Sequence, residues 1–231
     1  MACISMIIQS YASLGLPSKT VVLTFDDGPN AHADITARLL DVLGRHGVTA
    51  CFCVPGQQAA RHPVLVRRIA AEGHLIANHS HTHPAVLPLL RSTTAVEADI
   101  LCGDRAIGEA LGIPDYCSRY YRPSGGVVTP AVIEALQRLD LRLLPVSFLT
   151  PDILCGPAVA PYLLSGLLRR IRRDGGGIPV IHDRLAEYPL PSWLAGLPWY
   201  NGNRSWVPDF VDALIAILKH EGFAIGAEAL R

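Results

Sequence analysis

The chain has 231 residues, enough for one domain of ordinary size whose core needs no covalent staples. Half of the residues are apolar and 17% are charged, which excludes a disordered or fibrous protein. Twenty basic and twenty acidic residues cancel, so the charge balance gives no sign of a nucleic-acid partner, and no apolar run reaches the roughly 18 residues that span a bilayer, although a mean hydropathy of +0.29 leaves room for an apolar partner or a membrane surface.

Residues 1–18 read as an irregular N-terminal arm, and 19–231 as one domain. No Lys or Arg precedes Lys19, so the positive start of a secretory signal is missing, and a signal peptide is the secondary reading. Val21 to Phe25 reads as a strand ending at Asp26. Asp34 to His46 reads as a helix with Leu39, Leu40 and Leu43 on one face and Gly47 as its stop. Thr49 to Val54 is a second strand, Pro63 to Glu72 a helix with Pro in its first turn, and Leu75 to Ala77 a short strand. Thr93 to Leu111 is a long helix, and Tyr120-Tyr121 a short strand. A helix from about Thr129 to Leu139 and a strand from Leu141 to Val146 follow. Pro161 to Arg173 is a helix, Ile178 to Ile181 a strand, Pro208 to His220 the last helix and Phe223 to Ile225 the last strand. Such alternation predicts βα units around a parallel sheet, closed as a barrel or open.

Arg184 to Val207 breaks the pattern. It holds Trp193, Trp199 and Trp206, and it reads equally well as a substrate lid or as a loop pinned by its aromatics. The six cysteines read as reduced thiols. Cys51 and Cys53 would face one side of a strand, which favours core packing over metal ligation.

Parallel α/β folds place their sites at strand ends, and four strand ends here carry reactive residue types. Thr24-Phe25-Asp26-Asp27-Gly28-Pro29 sets two carboxylates side by side, where a turn begun by Gly28 can bring both to one mouth. An Asp-Gly turn is the plainer reading of this segment alone. His79-Ser80-His81-Thr82-His83 places two imidazoles four residues apart, on one face of a helical turn. With Asp27 they would form a facial triad for a divalent ion, while His81 points away and His74 reads as structural. In Arg122-Pro123-Ser124-Gly125-Gly126 the arginine can grip a carboxylate in bidentate fashion and the glycines let backbone N–H groups approach a ligand. In Val180-Ile181-His182-Asp183 a histidine at the end of an apolar strand suits proton transfer.

Taken in order, Thr-Phe-Asp-Asp-Gly-Pro, His-Ser-x-x-His-Pro, Arg-Pro-x-x-Gly and apolar-apolar-His-Asp resemble the motifs of the polysaccharide deacetylases, the nodulation-type domain of carbohydrate esterase family 4. The resemblance covers roughly Lys19 to Arg231. It implies an α/β fold, a distorted (β/α) barrel with about seven parallel strands. It implies Asp26 as catalytic base and Asp27, His79 and His83 as ligands of a divalent metal, most often Zn2+, with Co2+, Ni2+ or Mn2+ as substitutes. It further implies Arg122 orienting Asp26, Gly125 offering its N–H to an oxyanion, His182 as general acid and Asp152 tuning His182; a loop Asp after a proline is the plainer reading of Asp152.

Two departures stand out. The family usually has an aromatic where Gly125 stands and a proline or similar residue at Ser124. Its fourth motif, Asp-x-x-Asp-Trp, reads here with Leu149 for the first Asp and Ile153 for the Trp. The expected activity is metal-dependent removal of the N-acetyl group from an amino sugar, with a small or carrier-linked substrate favoured over a polymer. The competing expectations are a deformylase or deacylase of a lipid-linked or non-sugar amide, and a carbohydrate-binding relative without turnover. Arg169, Arg170, Arg172 and Arg173 read first as basic residues offsetting a helix dipole, and secondarily as a contact for a phosphate or an anionic membrane surface. The expected location is cytoplasmic, at the membrane surface for a carrier-linked substrate, with a secreted or periplasmic location as the alternative.

Overall fold

The computed structural model describes residues 5–6, 9–83, 91–184 and 204–230. Eleven strands are β1 (Ser5–Met6), β2 (Thr20–Val21), β3 (Thr24–Asp26), β4 (Cys51–Val54), β5 (Leu75–Asn78), β6 (Tyr120–Tyr121), β7 (Val127–Val128), β8 (Arg142–Leu143), β9 (Phe148–Leu149), β10 (Pro179–His182) and β11 (Ala224–Ile225). Among the described residues the helices are α1 (Ile35–His46), α2 (Gly56–Arg61), α3 (Pro63–Ala71), α4 (Thr93–Leu111), α5 (Pro130–Arg138), α6 (Ala160–Asp174) and α7 (Val207–His220). Seven strands form one sheet in the order β8-β6-β5-β4-β3-β10-β9, every neighbouring pair parallel. Its edges, β8 and β9, do not pair with each other, so the expected seven-stranded barrel is a curled sheet open between them. β2 pairs with β11, and β1 runs antiparallel to β7.

Side-chain alternation along β4 separates the two faces of the sheet. Phe52 and Val54 point outward into the large cluster that packs the sheet against α1, α3, α6 and α7. Cys51 and Cys53 point inward, where they meet Val22, Ala77, Leu144 and Ile178. Small residues on this concave face let the sheet curl tightly, and both thiols are buried there without disulfides. The helices end as their residues dictate. Gly47, at φ 60°, closes α1 by donating its N–H to Leu43 and Gly44 carbonyls. Ser92 opens α4 by accepting the Ala95 N–H at 3.3 Å, and Gly112, at φ 72°, closes it. No described helix is long and apolar enough to cross a membrane.

Two expectations need correction, and some elements were not foreseen. The strand over Val21–Phe25 is two strands, because the chain changes partner: β2 pairs with β11, the Val22 N–H goes to the Gly177 carbonyl, and β3 pairs with β10 and β4. The strand over Leu141–Val146 shrinks to β8, since Pro145 has no N–H to give a ladder. Helix α2 and strand β9 were not foreseen. The first is six residues of Gly-Gln-Gln-Ala-Ala-Arg with no apolar period, and the second is two residues, too short for alternation to register. Of the long segment Arg184–Val207, residues 185–203 lie outside the described residues, and with them the lid reading.

Phe52 lies 5.1 Å from the Phe25 ring and 5.4 Å from the His74 ring, at the centre of the outer cluster. Phe52→Ala is expected to cost about 3–5 kcal/mol, read as a lowered denaturant midpoint with an unchanged slope.

Candidate metal and proton-transfer site

The reactive residues stand at the C-terminal ends of β3, β5, β6 and β10. Asp26 closes β3 and is buried. Asp27 follows in a left-handed conformation, φ 72°, and this turn sends the second carboxylate to a different partner from the first. Gly28 is needed for a different reason from the tight turn expected of it. A Cβ there would lie 2.3 Å from a carboxylate oxygen of Asp183, which packs against the turn and accepts from the Thr36 hydroxyl. Burial pushes the Asp183 carboxyl up to about 6.

One ligand atom from each of Asp27, His79 and His83 lies within 4.8 Å of the other two. Asp27 Oδ1 is 3.3 Å from His79 Nε2 and 3.0 Å from His83 Nε2. The two imidazoles do not share a helical turn as the i,i+4 spacing suggested. They converge because Ser80 (φ 67°) and His83 (φ 48°) adopt left-handed backbone, curling the segment back on itself. Two anchors hold this curl to α4. Asn78 donates to Asp104 Oδ1 at 2.9 Å and accepts the Ser80 N–H at 2.8 Å, while Asp99 accepts from the Thr82 N–H and hydroxyl at 3.3 Å each. His81 stays outside the cluster and packs at Gly56. His74 accepts the Ala50 N–H at 3.2 Å, a structural role.

The donor chemistry fits a divalent cation. His79 Nδ1 is 2.7 Å from the Arg122 carbonyl, so it carries the proton and donates it there. Nε2, on the other side of the ring, stands 3.3 Å from the Asp27 carboxylate oxygen, so the two atoms can share one cation between them. Burial alone would raise the Asp27 carboxyl; its contacts with His79 and His83 outweigh that and hold it well below the ordinary carboxylate range. One carboxylate and two imidazoles from the protein leave positions open, as catalytic rather than structural sites do.

Arg122, fully buried, reaches Asp26 Oδ1 at 2.7 Å and the Thr24 hydroxyl at 2.7 Å through one nitrogen, and the Pro145 carbonyl at 3.2 Å through another. Its grip on Asp26 is therefore through one oxygen, not the bidentate one expected: the nitrogen that reaches Asp26 also serves Thr24, the second turns to Pro145, and the buried Nε makes no hydrogen bond. Gly125 sits exposed in the loop after β6, at φ 66°, with open space where a side chain would be.

His182 ends β10 opposite Asp26 in the parallel register of β10 and β3. Its Nδ1 is 3.0 Å from Asp152 Oδ1, and its backbone N–H donates to Asp152 Oδ2 at 2.8 Å. Asp152 is fully buried and also accepts the Thr150 hydroxyl at 2.6 Å. Arg204, which sequence reasoning missed, completes this group. It is buried, pairs with Asp152 Oδ2, and donates to the Asp152 carbonyl at 2.6 Å and the His182 carbonyl at 2.8 and 3.0 Å. Its only sequence signal is a charge inside a Trp-rich stretch, indistinguishable from a solvated one. Desolvation opposes a charge on His182, but Asp152, with Asp27 and Asp26 behind it, prevails and raises the imidazole to about 9.

Comparison with known proteins gives a consistent picture. The polysaccharide deacetylase family model matches residues 14–144. A chitooligosaccharide deacetylase of Bradyrhizobium sp. (strain ANU 289) is 38% identical over 167 residues, 72% of this chain and 71% of that one. Another, of Rhizobium leguminosarum bv. trifolii, is 47% identical over 96 residues, 42% of this chain, and the match spans only 43% of that relative's length. The crystal structure of the Bc1960 peptidoglycan N-acetylglucosamine deacetylase superposes with a TM-score of 0.72 at 24% identity, covering 93% of this chain and 89% of that one, a likeness of fold.

The His182–Asp152 pair sets a pH dependence with a definite sign. Because the folded value, about 9, exceeds the unfolded value near 6.5, the stability it contributes is full below about 6.5 and is lost as pH rises through 9. Asp152→Asn is expected to bring the His182 titration, followed by NMR, down toward the ordinary imidazole range and to flatten that loss.

Proposed function

The chain belongs to the polysaccharide deacetylase family, and on that premise we propose that it hydrolyses the N-acetyl group of an amino sugar, releasing acetate and a free amine. The observation that carries this reading is the Asp27–His79–His83 cluster, set beside Asp26 and His182 on neighbouring strands. The relatives named chitooligosaccharide deacetylase support a sugar amide as the substrate, and the missing aromatic at Gly125 supports a small or carrier-linked sugar over a polymer.

Asp27, His79 and His83 would hold a divalent ion, with Zn2+ the best match to a three-ligand open site; when bound it supplies Lewis acidity and lowers the pKa of water. Asp26 acts as general base. Arg122 pins its Oδ1, and the carboxylate takes a proton from the attacking water as the water oxygen bonds to the acyl carbon. Negative charge then grows on the carbonyl oxygen, and the Gly125 N–H, exposed at the crest of its loop, donates to it. His182, kept cationic by Asp152, gives its proton to the amide nitrogen as the C–N bond breaks. Arg204 and Thr150 hold Asp152, and through it the ring of His182, in one orientation.

The test is metal analysis of the purified protein with acetate release from N-acetylglucosamine oligomers, with and without chelator. About one ion per chain and release abolished by chelation are expected. Asp27→Ala and His79→Ala should lose both ion and activity. Asp26→Asn and His182→Ala should keep the ion and lose roughly 10²–10⁴-fold in rate. The rate should fall as pH rises above about 9, where His182 gives up its proton. Release that survives complete removal of the ion, or loaded protein that frees no amine from N-acetyl or N-formyl sugars, would overturn the reading.

A further inference from the structure

The loop Arg122–Gly126 has little to hold its crest in place. Gly125 and Gly126 both have left-handed backbone, φ 66° and 68°, and they follow each other directly. A glycine pair has no side chains to pack and the largest conformational freedom of any dipeptide. Around Gly125 nothing lies within 4 Å of where a Cβ would be. The Gly126 N–H closes a turn onto the Pro123 carbonyl at 3.0 Å, and the Arg122 carbonyl at the loop's start meets the ligand His79 at 2.7 Å, but neither bond is made by the crest itself.

Ser124 supplies that missing link. Its buried hydroxyl donates to the Ser80 hydroxyl at 3.3 Å, and the Ser80 hydroxyl meets the Tyr121 phenol at 2.9 Å. Ser80 lies between the ligands His79 and His83, in left-handed backbone, with its N–H on Asn78 and its carbonyl on the Gly56 N–H. Tyr121 ends β6 immediately before Arg122 and is buried; burial pushes its phenol up to about 12, so it remains a neutral hydrogen-bonding group. Three hydroxyls thus run from the end of a strand through the ligand loop to the glycine loop. Among the described residues, Ser124 is the one side chain of Ser124-Gly125-Gly126 able to make such a bond.

The geometry points to Ser124 as a positioning residue, acting through Ser80 and Tyr121 to hold the Gly125 N–H at a fixed distance from the Asp27–His79–His83 cluster. This rests on the deacetylase reading and deepens it. A donor that must meet an oxygen only when negative charge develops there loses its value if it wanders, whereas substrate binding to the ground state is little affected. Removing the Ser124 hydroxyl should therefore lower kcat and leave KM nearly unchanged.

The experiment is a double-mutant cycle on the metal-loaded protein with N-acetylglucosamine oligomers. Ser124→Ala is expected to reduce kcat about tenfold with KM within twofold, and Ser124→Thr, which keeps the hydroxyl, to restore most of it. Metal content and thermal midpoint of Ser124→Ala should match the wild type. Ser80→Ala should cost a comparable factor, and Ser80→Ala with Ser124→Ala no more than the larger single loss, because both cut the same chain. The affinity for a phosphonamidate analogue of the tetrahedral intermediate should fall in step with kcat. Additive losses, a rise in KM at constant kcat, loss of the ion, or an unchanged kcat in Ser124→Ala would each overturn the assignment. A wild type that is loaded with metal yet releases no acetate would refute the deacetylase reading instead; an unchanged kcat in Ser124→Ala beside an active wild type refutes this inference alone.

Discussion

Three electron-rich atoms, Asp27 Oδ1 and the Nε2 atoms of His79 and His83, are packed within 4.8 Å of one another where little water reaches them. In that setting lone pairs repel with little screening, and a cation is what turns the repulsion into cohesion. Much of the surrounding structure keeps those atoms together. Asp27, Ser80 and His83 occupy left-handed backbone that non-glycine residues seldom adopt, and such conformations persist only where neighbours enforce them. Asn78, Asp99 and Asp104 do so from inside α4 and β5, which makes a helix distant in sequence part of the ligand geometry.

A second constraint follows from placing so much charge in a low-dielectric cleft. Asp26, Asp27, Asp152 and Asp183 are all buried, and isolated buried carboxylates are costly. The chain resolves this by alternating signs. Arg122 faces Asp26, His182 and Arg204 face Asp152, the two histidines face Asp27, and Asp183 is left as the carboxyl most easily protonated. The result is that Asp26 with its arginine and His182 with its aspartate stand in register on neighbouring strands, next to the candidate ion cluster.

Legibility varied with length and period. Helix α4 was readable to the residue because Ser92 and Gly112 bracket nineteen residues, and α1 because three leucines share a face before Gly47. Helix α2 and strand β9 were not, since six polar and small residues or two strand residues carry no period. Among site residues, Asp26 and Asp27 run into Gly28-Pro29 at the end of a strand and His83 precedes a proline, while His79 and His182 stood out as histidines at the ends of apolar strands. Asp152 was placed only through the family's fourth motif, two of whose residues have changed here. Arg204 left no trace, because what makes it important is burial against Asp152, and burial of a single arginine has no local signature.

The sequence by itself determined which atoms are available and in what order: paired carboxylates, paired imidazoles, an arginine and a final histidine, each closing a strand, in an alternation that demands a parallel sheet. Only the tertiary structure decided their partners. Which oxygen Arg122 grips, which carboxylate faces the histidines, and how a hydroxyl on one loop reaches another all depend on left-handed residues and contacts between segments tens of residues apart. Local composition records the preferences of a residue for its immediate neighbours. The direction of a side chain at the end of a strand is set by the curl of the whole sheet.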